Sequence, residues 1–263
     1  MTPAERHEQD ALARLSRVNG PGELKAAALA LVTPPSSPAS FAVWSAETDG
    51  VPNAQGLLDD VGQLSDATRL PTLEVLLART RLLPKPERRA LLQSTRRLMA
   101  THSPQRPIDR LHWLVLRRRL GDRPLAPAAP PPHSDPSELP AVTLLQVSRV
   151  TAYLSRMVPG RDAAAAQAWY ADAMGRFLPP EMVPPCQPPD GDGLVHALEE
   201  VESLPWMLRP VLVRAWVEAA IATGLRARLP AGAADALRLV ADLLDSPLPP
   251  ELARHYTELE WTC

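Results

Sequence analysis

Cysteine, glycine and aromatic residues are all scarce in this chain of 263 residues. Its two cysteines, Cys186 and Cys263, lie far apart, so they provide neither a disulfide framework nor metal-ligand spacing, and their scarcity is typical of a reducing compartment. The 12 glycines are scattered and contain no phosphate-binding loop. These absences exclude disulfide-stabilised scaffolds and P-loop nucleotide-binding enzymes.

An excess of either charge is also lacking, since 28 Lys and Arg face 30 Asp and Glu. Nucleic-acid-binding domains usually carry a basic excess, and we therefore predict no nucleic-acid partner. The longest apolar stretch, residues 210–224, contains Arg214 and Glu218 and is too short to cross a bilayer. Residues 1–10 are polar and show no signal-peptide pattern. We predict a cytoplasmic protein without direct membrane insertion.

No complete catalytic motif is present. His7-Glu8 begins the zinc-protease signature His-Glu-x-x-His, but Ala11 stands where the second histidine is required. His196 and Glu199 share one face of a predicted helix and are either a surface pair or two ligands of a metal. We predict no enzyme activity, no cofactor and no metal site. A hidden hydrolase would require a deep pocket that joins His196 and Glu199 to a distant acid.

Leucine, alanine and 31 prolines dominate the composition, and proline stands at about twice its usual share of roughly 5%. Leucine and alanine favour helices, whereas proline stops helices and is tolerated in their first turn. No stretch alternates apolar and polar residues as a strand would. A capping box, Thr2-Pro3-Ala4-Glu5, opens the first helix. We therefore predict an all-α protein with many short helices.

Apolar residues at helical spacing predict where the other helices lie. Leu82 extends the apolar face of a helix that starts near Pro71, and Asp109 caps a helix that ends near Gly121. Trp206 begins a later helix. The predicted ranges are about residues 23–32, 39–46, 57–64, 71–82, 86–99, 109–121, 137–157, 162–177, 193–202, 206–223 and 231–244, followed by a short helix that ends near residue 256.

A proline-rich stretch at residues 122–137 has little apolar surface to bury and is typical of an extended connector. The alternative is a docking site for a proline-recognising domain. With the stretch as a linker, we predict an N-terminal helical lobe at residues 1–121 and a C-terminal lobe at residues 138–263. One weak internal repeat occurs in both lobes: Leu83-Pro84 and Leu204-Pro205 each open a helix that ends in Ala-Thr.

Tryptophan accounts for six of the few aromatic residues. Those on apolar helix faces are expected in the core. Trp206 is different, because it lies at a helix start between Pro205 and Met207. Exposed aromatic and methionine side chains often anchor protein partners. We therefore predict Trp206 and Met207 as a candidate interface.

Several strings resemble the C-terminal region of bacterial membrane zinc metalloproteases of the HtpX-like class, in which two helical modules are similar to the tellurite-resistance protein TerB. The resemblance covers about residues 55–253 and implies TerB-like units at about residues 55–121 and 193–253. The strings are RLPTLEVLLARTRLLP at residues 69–84, IDRLHWLVLR at residues 108–117 and ADALRLVADLLDSPLPP at residues 234–250, together with residues 88–100 and 204–222.

The protease half of that family, with its membrane helices and zinc motif, is missing from this chain. The resemblance therefore implies a non-enzymatic interaction or regulatory module whose partner is a protein, such as a membrane protease or another membrane-associated complex. The alternative is a TerB-like metal-binding stress-response module. Its only candidate ligands are His102, Asp109 and His112, because the Asp-Gly turn and the following Glu of TerB-like modules are not retained.

Overall fold

The computed structural model describes residues 2–34, 37–102, 105–121, 138–159, 162–223, 229–259 and 261. These residues form helices and no strand, so the predicted all-α class is confirmed. No helix in this described part of the chain is long and apolar enough to cross a membrane. The predicted linker, residues 122–137, lies outside the described residues.

Contacts divide the chain into two compact units, residues 1–123 with 256–263 and residues 124–255. The first unit contains α1 (Pro3–Leu15), α2 (Pro21–Val32), α3 (Pro38–Glu47), α4 (Ala54–Gly62), α5 (Asp66–Arg81), α6 (Lys85–Met99) and α7 (Pro107–Leu120). The second contains α8 (Ala141–Leu154), α9 (Ala163–Gly175), α10 (Gly191–Glu202), α11 (Leu208–Thr223), α12 (Ala231–Leu243) and α13 (Pro250–Ala253), with a 3-10 turn at Pro180–Met182.

Proline explains many of the helix starts. α1, α2, α3, α7 and α13 all have proline at their first position, where no backbone N–H is needed. The capping box at the start of α1 forms as predicted, with the Glu5 amide donating to the Thr2 hydroxyl oxygen and the Thr2 amide to the Glu5 carboxylate. Proline thus marks where these five helices begin.

Pro71 departs from this pattern. We predicted that it lies near the start of its helix, but α5 already begins at Asp66, so Pro71 lies inside the helix. A proline has no N–H to donate, and the carbonyl of Ala67 four residues earlier is therefore left without its helical donor. The amide of Thr257 donates to this carbonyl instead, over 3.0 Å.

The C-terminal segment consequently packs on the first unit rather than with the residues that precede it. We placed residues 256–263 in the C-terminal lobe, whereas Thr257 and Trp261 contact α5. Besides the Thr257 hydrogen bond, the ring of Trp261 lies 5.5 Å from the Arg79 guanidinium. The sequence pattern carried no signal for this return, because it depends on a single freed carbonyl group.

α2 forms the centre of the first unit, where it packs against α3, α4, α5 and α6. From Ala26 to Val32 it is apolar on every side, and each of these residues is buried. The indole N–H of Trp44 on α3 donates to the carbonyl of Ala26 at 3.0 Å. Trp44 is thus a core residue, as expected for a tryptophan on an apolar face.

Arginine side chains satisfy carbonyl groups at the ends of several helices in the first unit. The last four carbonyls of a helix lack intrahelical donors and carry partial negative charge, so a guanidinium is a suitable partner. Arg69 donates to the carbonyls of Ala30 and Leu31 near the end of α2. Arg79 donates to Ser16 and Val18 just after α1, at 2.8 and 3.0 Å. These long-range bonds connect α5 to its neighbours.

The second unit is built around large apolar side chains. α8 packs against α9 and α10, and α11 packs against α9 and α12. Trp169 and Trp216 are fully buried, and the Trp216 indole donates to the hydroxyl oxygen of Thr151 at 3.0 Å. The predicted core position of both tryptophans is therefore what the structure shows.

Candidate functional site: the Trp206 turn

The turn between α10 and α11 exposes the two residues that the sequence singled out. Leu204 and Leu208 are both buried and hold the turn from either side. The amide of Leu208 donates to the Pro205 carbonyl at 2.9 Å, which closes a tight turn over residues 205–208. Since both anchoring leucines point into the core, the residues between them are forced outward.

Trp206 is 73% exposed and Met207 is 58% exposed, and both precede the first residue of α11 rather than belonging to that helix. Val211 follows Met207 by four residues and is 44% exposed. We refer to Trp206, Met207 and Val211 as the Trp206 turn. An indole and a thioether that remain in solvent are unusual in a chain that buries Trp44, Trp169 and Trp216.

Carboxylates surround the start of this turn. Glu199, Glu200 and Glu202 occupy the last turn of α10, which contains no basic residue. The C-terminal end of a helix carries partial negative charge, so acidic residues are disfavoured there by about 0.3–1 kcal/mol each. The arrangement therefore gives up some helix stability and places three carboxylates in the sequence just before an exposed apolar turn.

A second exposed apolar turn was missed by the sequence reasoning. We placed Leu82 on the inward face of its helix, but the structure shows it 77% exposed just after α5 ends at Arg81. Pro84 was the available signal, because the helix ends before the residue preceding a proline. Leu82 therefore caps the helix instead of continuing its apolar face.

The candidate metal ligands of the first unit were also placed by the structure. Asp109 is the third residue of α7, not its N-cap as predicted, and Arg106 occupies the N-cap position. The Asp109 carboxylate accepts from His102 Nδ1 at 2.9 Å and from the Arg106 guanidinium at 2.6 Å. Burial opposes its ionisation, but these hydrogen bonds lower the pKa of Asp109 to about 2.

His112 lies one helical turn after Asp109, and its Nδ1 is shielded from solvent without a hydrogen-bond partner among the described residues. Burial lowers the pKa of His112 to about 4; Arg106, Arg69 and His102 contribute in the same direction, while Asp109 opposes them. The Nε2 of His102 is likewise shielded and without a partner in that part of the chain. The cluster is thus a buried polar group around one ion pair.

No three His, Cys, Asp or Glu side chains among the described residues are arranged to hold a metal ion. Asp109 is already engaged by Arg106 and His102. His196 and Glu199 are both exposed on α10. A cleft of about 330 Å³ in the first unit is lined by His7, Asp10, Arg14, Asp59, Asp60 and Gln63, and neither His196 nor Glu199 contributes to it.

Glu8, the second residue of the incomplete zinc-protease string, contacts the start of α5. Its carboxylate accepts from the Ser65 amide at 2.8 Å and from the Thr68 hydroxyl at 2.5 Å. Burial opposes its ionisation, but these hydrogen bonds lower the pKa of Glu8. Its negative charge lies at the N-terminus of α5, where the helix dipole favours an anion, so Glu8 connects α1 to α5.

No family model, no curated protein and no solved structure matches this chain. The resemblance to TerB-like modules therefore rests on the sequence strings alone.

Proposed function

We propose that this chain is a non-enzymatic helical module that binds a protein partner through the Trp206 turn. The observation that carries the proposal is the exposure of Trp206 and Met207 between two buried leucines. Tryptophan is strongly enriched among the residues that dominate binding energy in protein interfaces. A rigid turn also presents these side chains with little conformational entropy to lose on binding.

The acidic residues before the turn indicate what kind of surface would fit it. Glu200, in the last turn of α10, would repel an acidic surface and attract a basic one, and such a charge mainly determines specificity and association rate. We therefore propose an apolar pocket with a basic rim on the partner. The resemblance to the HtpX-like proteases implies that this partner belongs to a membrane-associated protease complex.

The metal-binding alternative has less support. A metal held by His102, Asp109 and His112 would have to displace the Arg106 guanidinium, which donates to the Asp109 carboxylate at 2.6 Å. Calorimetric titration of the chain with zinc, calcium and manganese tests it directly. Heat of binding from any of the three, abolished by His102→Ala, would favour the metal-binding module over the proposal.

The proposal is tested by placing a photo-crosslinking amino acid at Val211, identifying the crosslinked protein, and titrating that purified protein against the chain. We expect the double variant Trp206→Ala, Met207→Ala to bind about 30-fold more weakly, which corresponds to a loss of about 2 kcal/mol at a hot spot. Phe41→Ala is the matched control, because Phe41 is an exposed aromatic residue on α3.

Equal affinity of the double variant and the wild type would contradict the proposal. So would an equal loss in the Phe41→Ala control. Unfolding must be measured for each variant, and we expect changes within about 0.5 kcal/mol for the exposed residues of the turn. A weaker interaction without a loss of stability would therefore identify the turn itself as the binding surface.

A further inference from the structure

The backbone of α5 offers a hydrogen-bond acceptor that its own helix does not use. Pro71 lies inside α5 and has no N–H, so the carbonyl of Ala67 lacks its helical donor whether or not another segment is present. In the structure this carbonyl accepts from the Thr257 amide over 3.0 Å. An interior proline is costly in a helix, and here its consequence is a fixed acceptor for another stretch of backbone.

A second group on the same helix is also fixed independently of the C-terminal segment. The guanidinium of Arg79 donates to the carbonyls of Ser16 and Val18 at 2.8 and 3.0 Å, and these bonds hold it in place. Its centre lies 5.5 Å from the ring of Trp261, which is cation–π distance. A planar guanidinium held by hydrogen bonds presents a face on which an aromatic ring stacks.

The spacing of the two groups selects an extended ligand. Ala67 and Arg79 are twelve residues apart, about 18 Å along an α-helix. Four residues of chain span at most about 14 Å, so Thr257 and Trp261 reach both groups only when the segment lies along α5. Both contacts therefore fix the direction of the segment on the helix.

Between the two contacts, one face of α5 carries an apolar stripe. Pro71, Val75 and Ala78 follow Ala67 at helical spacing. We refer to these four residues and Arg79 as the α5 groove. Since its acceptor and its cation are held by the first unit itself, the groove is preorganised for a ligand.

The hold of the C-terminal segment on this groove is suited to displacement. Tyr256 is buried, but Thr257 and Glu258 are exposed and Leu259 is partly exposed. A hydrogen bond or an exposed cation–π contact strengthens binding by only about two- to tenfold. A segment of the same chain needs no more, because its effective concentration is in the millimolar range. A separate peptide that makes the same contacts would compete with it.

We propose that the α5 groove is a peptide-binding site, which the C-terminal segment occupies as a competitor within the same chain. The ligand that fits is an extended peptide of a partner protein, with a backbone N–H for the Ala67 carbonyl and an aromatic ring four residues later for Arg79. A helical ligand would use its amides internally. The groove belongs to the first unit, whereas the Trp206 turn belongs to the second.

Fluorescence anisotropy with the full chain tests this proposal. The probe is a labelled synthetic peptide of residues 254–261. The receptor is the double variant Thr257→Pro, Trp261→Ala, which removes the amide donor and the ring from the chain's own segment. We expect it to bind the peptide at least about tenfold more tightly than the wild-type chain, because the lost hydrogen bond and cation–π contact are worth about fivefold and about twofold.

Changes on either side of the hydrogen bond provide the matched controls. Thr257→Pro in the peptide should weaken its binding to the double variant about fivefold, whereas Thr257→Ala keeps the amide and should not. Pro71→Ala, added to the double variant, should also weaken binding of the unchanged peptide about fivefold, since the restored N–H at position 71 occupies the Ala67 carbonyl. Glu258→Ala changes an exposed residue of the segment, and this chain should bind the peptide as the wild type does.

Equal affinity of the wild type and the double variant for the peptide would overturn the proposal. Binding that is indifferent to Thr257→Pro in the peptide or to Pro71→Ala in the chain would overturn it too. So would wild-type dimers at the concentrations used, because a second copy would then be the occupant. If the double variant does not fold, Thr257→Pro alone is the receptor, with an expected gain of about fivefold. The Trp206→Ala, Met207→Ala chain should bind the peptide as the wild type does, which keeps this test independent of the proposed protein interface.

Discussion

The two units of this protein differ in how their helices are held together. In the first, charged side chains reach from one helix to another: Arg79 to the residues after α1, Arg69 to the end of α2, and Glu47 on α3 to Arg97 on α6. The described part of the second unit has fewer such contacts, Arg176 to Glu218 on α11 and Arg209 to the Leu244 carbonyl after α12, and two fully buried tryptophans, Trp169 and Trp216, fill space between its helices. The comparison teaches that similar helical patterns can combine polar and apolar contacts in different proportions.

The same contrast reaches the surface. The weak internal repeat of the sequence, Leu83-Pro84 and Leu204-Pro205, lies in two turns that expose large apolar side chains. Cations stand near the first turn in the sequence, whereas carboxylates precede the second, in the last turn of α10 where the helix dipole disfavours them. Residues 1–123 with 256–263 contain 18 Lys and Arg and 15 Asp and Glu, whereas residues 124–255 contain 10 and 15. The two turns therefore differ in the charge of the residues beside them.

The largest effect is expected from removing the tryptophan on which the second unit depends. Trp216→Ala should lower the free energy of unfolding by about 4 kcal/mol, because it creates a large cavity and removes the bond to Thr151. Trp216→Phe keeps much of the ring and should lose only about 1–2 kcal/mol. Urea denaturation measures both. If Trp216→Ala lowered the free energy of unfolding no more than Trp206→Ala, a change at an exposed residue, then the buried tryptophan would not hold this unit together.

Arg79→Ala is the corresponding change in the first unit. It leaves the carbonyls of Ser16 and Val18 without this donor and removes the cation beneath Trp261. We expect a loss of about 3 kcal/mol, since each buried carbonyl that loses its partner costs about 1–3 kcal/mol. Arg6→Ala, an exposed arginine on α1, serves as the control. Amide hydrogen exchange should become faster in α1 and α5 while α11 remains protected. Equally faster exchange in both units would contradict the conclusion that Arg79 stabilises the first unit alone.

Acid should also distinguish the two units. His112 has a pKa of about 4 in the folded chain against an ordinary 6.5, so the unfolded chain binds more protons between these values. Stability is therefore greatest above pH 6.5 and falls as the pH decreases toward 4, by about 3 kcal/mol in total at roughly 1.4 kcal/mol per pH unit. Above pH 4.5, the lowered pKa values of Asp109 and Glu47, both about 2, keep those carboxylates ionised.

Urea unfolding at pH 7 and pH 5 measures this dependence. His112→Gln should remove most of the pH dependence of the free energy of unfolding of the first unit, which contains α7. His196→Gln changes an exposed histidine on α10 and should leave that dependence unchanged. If the first unit of the wild-type chain had the same free energy of unfolding at both pH values, His112 would not be protonated on unfolding in this range. The buried histidine would then have no part in the difference between the units.

Local signals in the sequence predicted most of the helices but few of their connections. The capping box at Thr2 and the prolines at helix starts depend on neighbouring residues, and the structure confirms them. The exposure of Leu82 could have been predicted from Pro84, which ends the helix. The hydrogen bonds of Arg79 could not have been predicted. Its partners Ser16 and Val18 lie more than sixty residues earlier, and only the folded chain brings them together. Periodicity describes one helix at a time.

The exposure of Trp206 was predicted from its position at a helix start between Pro205 and Met207, and the predicted N-cap position of Asp109 was wrong because that helix begins earlier. Both residues stand at helix N-termini, where an assignment that is off by two or three residues changes a side chain's role. At Trp206 the shift leaves the residue outside α11, in solvent. At Asp109 it moves the carboxylate from the N-cap to the third position, where it meets Arg106 and His102. The accuracy of the predicted helix starts therefore decides which site residues can be predicted from the sequence.

The smallest expected change in stability tests the contact between α5 and the C-terminal segment. Pro71→Ala restores an N–H that can donate to the Ala67 carbonyl, so it competes with the Thr257 amide for the same acceptor. We expect the free energy of unfolding to change by about 1 kcal/mol or less, because one hydrogen bond replaces another. The amide of Thr257, however, should exchange at least about fivefold faster, since it loses a bond worth about 1 kcal/mol or more. Amide exchange followed by NMR measures this directly, with Pro86→Ala in the first turn of α6 as the control. Unchanged protection of Thr257 in Pro71→Ala would show that the C-terminal segment is held by Tyr256 and Trp261 alone, and that the proline in α5 has no role in its attachment.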